Sequence, residues 1–406
     1  MKRRLLIFGG SHSELPLIHA AHKLGFSVTT SGNRPYHPGH TIADSYVPAD
    51  FSDPLQMLDV AKRSECEFIV SAANDYAYLS SCEVAEKLGL PGFDRPGIAY
   101  SLHHKHLFKA LASSLGIPVT KFVAIDKGTL DFSGIASLSF PLVVKPVDLT
   151  GGKGISIVKD SEALFAAVAT VRSLSKSQAV VIEEFFNGSL HSYSTIINNG
   201  HVVFEYVDNE FCCARPYLVT TSTSQAKVPP AVITDLKLQT EKLVAALPLI
   251  DGILHCQFLY RDGSYVILEY TRRSSGDLYS EVVEAVTGVR HAEQFIRQST
   301  GMPLDLSRFR PNSRFVSRHC VFPSQRGQFG GIHIAPELQK HVQSVTKAVP
   351  LGYEFASCLE EKAAVVVCSF GDRTSMEYFS ARFNDFIGCQ LLPPIEQSPS
   401  RSEILN

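Results

Sequence analysis

Val266-Ile267-Leu268-Glu269-Tyr270-Thr271-Arg272-Arg273-Ser274-Ser275-Gly276-Asp277 is an apolar run that delivers a carboxylate at Glu269 and then an arginine at Arg273. Burying Glu269 at the end of such a strand costs several kcal/mol unless a cation or a hydrogen-bonded partner compensates it. A Mg²⁺ ion carrying nucleotide phosphates is one such partner, because that ion takes a few carboxylates together with phosphate oxygens. The simpler alternative is a strand-end ion pair between Glu269 and Arg273, since charge pairs are often structural. The rest of the chain decides between the two.

At 406 residues the chain is longer than one ordinary core supports, so about two or three domains are expected. Hydrophobic residues at 45% and charged residues at 19% fit a soluble globular protein, and a net charge of -2 offers no global attraction to nucleic acid or to an anionic membrane. The 9 cysteines include a vicinal Cys212-Cys213 but no C-x-x-C pair, a pattern unlike a disulfide framework or a zinc site. They read as reduced thiols of a cytoplasmic protein. The opening Met1-Lys2-Arg3-Arg4 imitates a signal peptide, yet the apolar run Leu5 to Gly10 is about half the needed length and reads as a first buried strand. No run of about 18 apolar residues is present, so no membrane-spanning helix is expected. The Pro- and Ser-rich tail from Pro393 to Asn406 is expected to be frayed.

Residues 4 to 9 end in Gly9-Gly10-Ser11, and helical spacing from Leu15 to Leu24 stops at Gly25. A second strand over Phe26 to Thr30, a helix over Leu55 to Ser64, a third strand over Phe68 to Ser71 and a helix from Tyr76 to Leu88 closed by Gly89 follow. This alternation predicts a doubly wound parallel sheet, whose ligands meet the loops after the strand ends. The turns Gly9 to Glu14, Gly32 to Pro38 and Asn74-Asp75 are therefore the ones to watch. The G-x-G-x-x-G spacing of a dinucleotide site and the G-x-x-x-x-G-K-[ST] phosphate loop are both absent, which argues against a dehydrogenase and a P-loop nucleotidase.

From Ser101 the pattern changes. His103 to Leu115 reads as a helix, and Phe140 to Pro146 as a short strand with Lys145 near its end. Thr150-Gly151-Gly152-Lys153-Gly154-Ile155 follows, where three glycines let backbone N–H groups approach an anion and Lys153 adds a mobile charge; a flexible hairpin turn is the alternative. Val180 to Gly188 is a strand running into an extended segment whose backbone can hydrogen-bond a flat base. After Pro303 shorter strand-like runs mark a third region.

Lys105, Lys145, the Gly151 to Gly154 loop, Glu183-Glu184-Phe185-Phe186 and Glu269 to Arg273 stand in the order found in ATP-grasp enzymes, and the chain resembles that superfamily over nearly its whole length. The resemblance implies an α/β protein, α+β in its central part: a doubly wound, parallel-sheet pre-ATP-grasp domain over 1–100, a two-lobed ATP-grasp domain over 101–302 with its lobe boundary near 180, and a small closing domain over 303–406. It implies ATP between the lobes, with Lys105 and Lys145 on the phosphates and Gly151, Gly152, Lys153 and Gly154 as a lid. It also implies Glu183, Glu184 and Phe186 at the adenine, Glu269 on Mg²⁺ (Mn²⁺ as a substitute), and Arg273 on the transferred phosphoryl group. Arg215 falls where such lobes face the phosphate and the acceptor; a surface arginine is its alternative.

Several positions depart from the family pattern. Leu190 replaces the glutamate that usually holds ribose, which leaves His191 as a substitute. Gln257 stands where a first metal carboxylate is expected, and Thr271 where asparagine is usual, so the ion depends on Glu269, on phosphate, or on Asp277 reaching in. The expected activity is an ADP-forming ligase joining a small carboxylate, an amino acid among them, to an amine through an acyl phosphate. Carboxylation of an amine with bicarbonate, and a catalytically silent nucleotide-binding protein, are the alternatives. Expected partners are these small molecules, without nucleic acid or membrane, and a homodimer is admitted.

Overall fold

The computed structural model describes residues 2–129, 133–149, 151–310 and 314–393. The tail expected to fray lies, beyond Pro393, outside the described residues, as does Thr150 at the head of the glycine loop.

The amino-terminal region is a parallel sheet of β1 (Arg4–Phe8), β2 (Ser27–Gly32), β3 (Ser45–Pro48) and β4 (Phe68–Ser71), in the order β3-β2-β1-β4. Buried Leu5, Leu6, Ile7 and Phe8 make β1 apolar on both faces, as a central parallel strand requires. Local chemistry fixes the helix ends. Asn74 accepts hydrogen bonds from the backbone N–H of Tyr76 and Ala77 and so starts the helix Asp75–Leu88 directly after β4. Gly89, at φ 66, ends it in the left-handed conformation that glycine adopts without strain. The edge strand β3 has no apolar alternation and was not expected.

The first lobe of the central region is an antiparallel sheet of β5 (Phe122–Ile125), β6 (Leu142–Pro146), β7 (Ser156–Val158) and β8 (Val180–Glu184), in the order β5-β8-β6-β7. The second contributes β9 (Ser189–Asn198), β10 (His201–Phe211), β11 (Thr221–Thr223), β12 (Gly252–Arg261) and β13 (Ser264–Thr271). The carboxyl-terminal region supplies β14 (Phe315–Val321), β15 (Gly327–Ile334), β16 (Val342–Lys347), β17 (Glu354–Phe355), β18 (Ala364–Phe370) and β19 (Ile387–Leu391). Its strands β14, β18 and β16 continue the sheet of the second lobe, giving the order β13-β12-β9-β10-β11-β14-β18-β16, while β17-β15-β19 form a small sheet of their own. The join is the antiparallel pairing of β11 with β14, Thr221 opposite His319.

The helices Tyr279–Thr287 and His291–Ser299 carry one core shared by the amino-terminal domain and this sheet. Leu5, Ile7, Leu17 and Val28 on one side and Ile196, Phe204 and Ile253 on the other close around Val282, Val283, Phe295 and Ile296. That packing sets the loops after β1, β2 and β4 across from the ends of β12 and β13. All nine cysteines are free, and no helix among the described residues is long and apolar enough to cross a membrane.

Candidate active site

A cavity of about 800 Å³ opens between the two lobes and the amino-terminal domain. All three turns after the parallel strands reach it, through Ser11, Arg34 and Asp75 among others, as a doubly wound sheet requires.

Positive charge gathers in the cavity wall around β6. Lys145 on β6 and Lys109 on the helix Lys105–Ser114 both bind the carboxylate of Glu183 on β8, Lys109 Nζ at 2.5 Å from Oε2. Thr120 bridges them: its hydroxyl accepts from Lys109 Nζ at 2.9 Å and donates to Glu183 Oε2 at 2.7 Å. These groups are 0%, 8% and 2% exposed at Lys109, Lys145 and Glu183, so water screens them little. Burial alone raises a carboxyl, but the lysines Lys145 and Lys109 outweigh it and hold Glu183 down at about 2. Two lysines on one carboxylate leave a positive charge uncompensated, and Lys145 presents it to the cavity. Lys105 lies beside it with Nζ donating to the Leu149 carbonyl at 2.8 Å.

The glycine loop also lines the cavity. Gly151, Gly152 and Gly154 have φ of 64, 74 and 73, and a Cβ on Gly152 would stand 2.5 Å from the Tyr217 carbonyl oxygen. No other residue fits that approach. Lys153 is exposed at the cavity rim. At the mouth of β8, Glu184 accepts from the backbone N–H of Ser139 at 3.0 Å, and Phe186 lines the wall.

Gln257 and Glu269 bring an amide and a carboxylate into the same cavity. Gln257 on β12 and Glu269 on β13 are register partners. The Glu269 carboxylate makes no hydrogen bond or ion pair among the described residues, and it lines the cavity. Thr271, on the same face of β13, has a buried hydroxyl with no partner. The Glu269 carboxylate and the amide oxygen of Gln257, whose nitrogen alone is engaged, suit a hard cation with oxygen ligands. Among the described residues no three Asp, Glu, His or Cys side chains are spaced to hold a metal by themselves, so phosphate oxygens must complete such a site. Arg273 does not pair with Glu269; its Nε donates to Asp75 Oδ1 at 2.7 Å. The neighbouring Arg272 is structural, fully buried against Asp94 and the carbonyls of Ile253 and Ile250.

Some expected roles change. The Glu183 side chain is not available to a base, being spent on Lys109 and Lys145. His191 faces away from the cavity, because strand alternation turns Leu190 inward; its Nε2 meets Ser189 at 2.7 Å and its ring stacks on Phe258. Burial lowers it to about 4, a neutral core histidine rather than a ribose ligand. Arg215 is outside the cavity lining and instead donates from Nη2 to the Gly151 carbonyl at 2.9 Å, tying down the glycine loop. Asp277 does not reach towards Glu269. Lys362 holds both of its oxygens at 2.7 Å and His12 one at 3.1 Å, so three regions of the chain meet on it. Burial opposes its ionisation, but Lys362 and His12 outweigh that and hold it well below the ordinary carboxylate range.

The turn Asn74-Asp75 was singled out in the sequence without a role for Asp75, whereas Lys109 and Glu210, whose Oε2 accepts from Gln257 Nε2 at 2.5 Å, were missed there. Only Lys109 left a signal, lying one helical turn beyond Lys105.

Residues 103–211 match the family model described as "Phosphoribosylglycinamide synthetase, ATP-grasp (A) domain". The carbamoyl phosphate synthase large chain of Clostridium acetobutylicum is 20% identical over 339 residues, 79% of this chain, which spans 31% of that relative's length. Among solved structures, an L-amino acid ligase from Bacillus licheniformis superposes with a TM-score of 0.78 at 20% identity, covering 97% of this chain and 99% of that one. The biotin carboxylase domain of 2-oxoglutarate carboxylase from Hydrogenobacter thermophilus, in complex with MgADP, ADP and bicarbonate, gives a TM-score of 0.75 at 15% identity, covering 91% of this chain and 86% of that one.

Proposed function

The chain has the ATP-grasp fold, and on that footing we propose that it is an ADP-forming ligase that joins a small carboxylate to an amine through an acyl phosphate. The observation that carries this reading is that one cavity is lined by a lysine pair with surplus positive charge and by a Glu269 carboxylate left unpaired among the described residues, together with Gln257 and Arg273. ATP fits such a lining, its triphosphate between Lys105, Lys145 and the glycine loop and its reacting phosphate near Arg273.

A Mg²⁺ ion held by Glu269 and Gln257 would neutralise charge on the transferring phosphate, and Mn²⁺ could replace it. The rest is the work of this chain's own groups. Lys145 and Lys105 fix the phosphates, Arg273 steadies the charge that spreads over the transferred group, and the glycine loop excludes water. A carboxylate oxygen attacks the terminal phosphorus, the bridging P–O bond breaks, and ADP leaves. The amine then attacks the acyl carbon, the C–O bond to phosphate breaks, and the amine gives up a proton to solvent. An amino acid is the favoured carboxylate, supported by the likeness to an amino acid ligase over nearly the whole chain.

Glu269→Gln tests the reading: ADP release should stop while nucleotide affinity persists through the lysines. Normal turnover in that variant would sink it. Bicarbonate-dependent ADP release would favour the carboxylation alternative. Tight ATP binding without ADP release across a broad panel of acids and amines would favour the silent protein to which Gln257, Leu190 and Thr271 pointed.

A further inference from the structure

Gln257, Ser192 and Asp208 stand in register across β12, β9 and β10, and Glu210 lies two residues beyond Asp208 on the same face. Gln257 and Glu210 are thus separated by a whole strand, about 10 Å at the backbone. Only two long side chains reaching over the short Ser192 can meet there, and these do, Gln257 Nε2 donating to Glu210 Oε2 at 2.5 Å. Glu210 is 6% exposed and held on that face by β10. A carboxylate accepts and an amide NH₂ donates, so this contact decides which end of the Gln257 amide faces which way. The nitrogen is turned to Glu210. The carbonyl oxygen is left for the side of Glu269, the register partner of Gln257 on β13.

We propose that Glu210 is a positioning residue for the metal site: it fixes the Gln257 amide with its oxygen towards the cation. The inference rests on the nucleotide-site reading above. It answers the question raised by a neutral side chain where a carboxylate was expected. A partner behind a ligand both orients it and strengthens it as a donor. Glu269, which lines the cavity beside Gln257, makes no hydrogen bond or ion pair among the described residues and so leaves its carboxylate for a cation.

The test is Mn²⁺ binding to the full chain, followed by electron paramagnetic resonance with a non-hydrolysable ATP analogue at pH 8. Glu210→Gln should weaken Mn²⁺ by about 10-fold or more, the range seen when a ligand loses its supporting partner. Affinity for the metal-free analogue should hold. Glu210→Asp, which keeps the charge but falls short of the amide, should lose affinity as Glu210→Gln does; it also serves if Glu210→Gln fails to fold. In the Gln257→Glu background the sign should reverse, because two carboxylates then repel and removing Glu210 tightens the ion. Equal Mn²⁺ affinity in the parent and both Glu210 variants, or the same loss in both backgrounds, would overturn the positioning role alone. A parent chain that binds no Mn²⁺ with nucleotide would overturn both this role and the nucleotide-site reading.

Discussion

Arg273 Nε rests 2.7 Å from Asp75 Oδ1, which ties the chain just beyond β13 to the start of the helix Asp75–Leu88. Asp75 is itself held by His103 Nδ1 at 3.2 Å, and the His103 ring stacks on Tyr78 with centroids 5.0 Å apart. Burial disfavours the Asp75 carboxylate, but Arg273 and His103 outweigh it and keep it ionised far below its ordinary range. The turn that starts the helix Asp75–Leu88 therefore aims the arginine that the second lobe delivers. Asp75→Asn should leave ATP affinity near that of the parent while lowering kcat on the order of 100-fold, because a misplaced catalytic group costs about that much. A loss confined to KM would show that Asp75 serves binding alone.

Lys145 and Lys109 share one carboxylate but should not be equivalent. Lys145→Ala leaves the Lys109–Glu183 pair intact and removes only the charge that faces the cavity. A charged hydrogen bond to phosphate contributes about 1.5–3 kcal/mol, so ATP affinity should fall by roughly 10- to 100-fold with little change in thermal stability. Calorimetric titration of the folded variant measures it, and unchanged affinity would remove Lys145 from the site.

Glu183→Gln should act on stability, and in a pH-dependent way. The native carboxyl lies at about 2 against an ordinary value of 4.5, so its stabilisation is complete above 4.5 and is lost as pH falls towards about 2. At neutral pH the variant strands two buried lysines, a loss of about 3–5 kcal/mol. Urea unfolding at a series of pH values should show the gap between parent and variant narrowing below pH 4.5; a gap independent of pH would contradict the ion-pair account.

The glycine loop should close on nucleotide. Gly152→Ala places a Cβ against the Tyr217 carbonyl and strains a residue at φ 74, so the loop can no longer take the position that Arg215 secures. Trypsin cleavage after the exposed Lys153 should slow when ATP and magnesium are added to the parent and remain fast in Gly152→Ala. Cleavage insensitive to nucleotide in both proteins would count against a lid.

The sequence disclosed what depends on neighbours along the chain and concealed what depends on register. The cap at Asn74, the stop at Gly89 and the apolar run of β1 are local signals and mark their elements closely. The glycine loop, Lys105 and Glu269, singled out in the sequence by residue type and order, all line the cavity. Asp75 and Arg273 are 198 residues apart, and nothing local announces that they meet. Glu210 and Gln257 need the strand order across β9 before they become neighbours. His191 was misjudged by a single residue of strand parity, which sends Leu190 to the cavity and the histidine to the core. Lys109 was passed over because a lysine on an amphipathic helix ordinarily faces water, whereas here it is fully buried against Glu183.

The central claim is that a phosphoryl group passes from ATP to a carboxylate held in this cavity. Carboxylates labelled with oxygen-18, amino acids first, should be incubated with the chain, ATP, magnesium and an amine, and the released phosphate analysed by mass. The account predicts ADP in step with product and a single oxygen-18 carried from the acid into each phosphate. ADP accompanied only by unlabelled phosphate, or AMP with pyrophosphate, would contradict it.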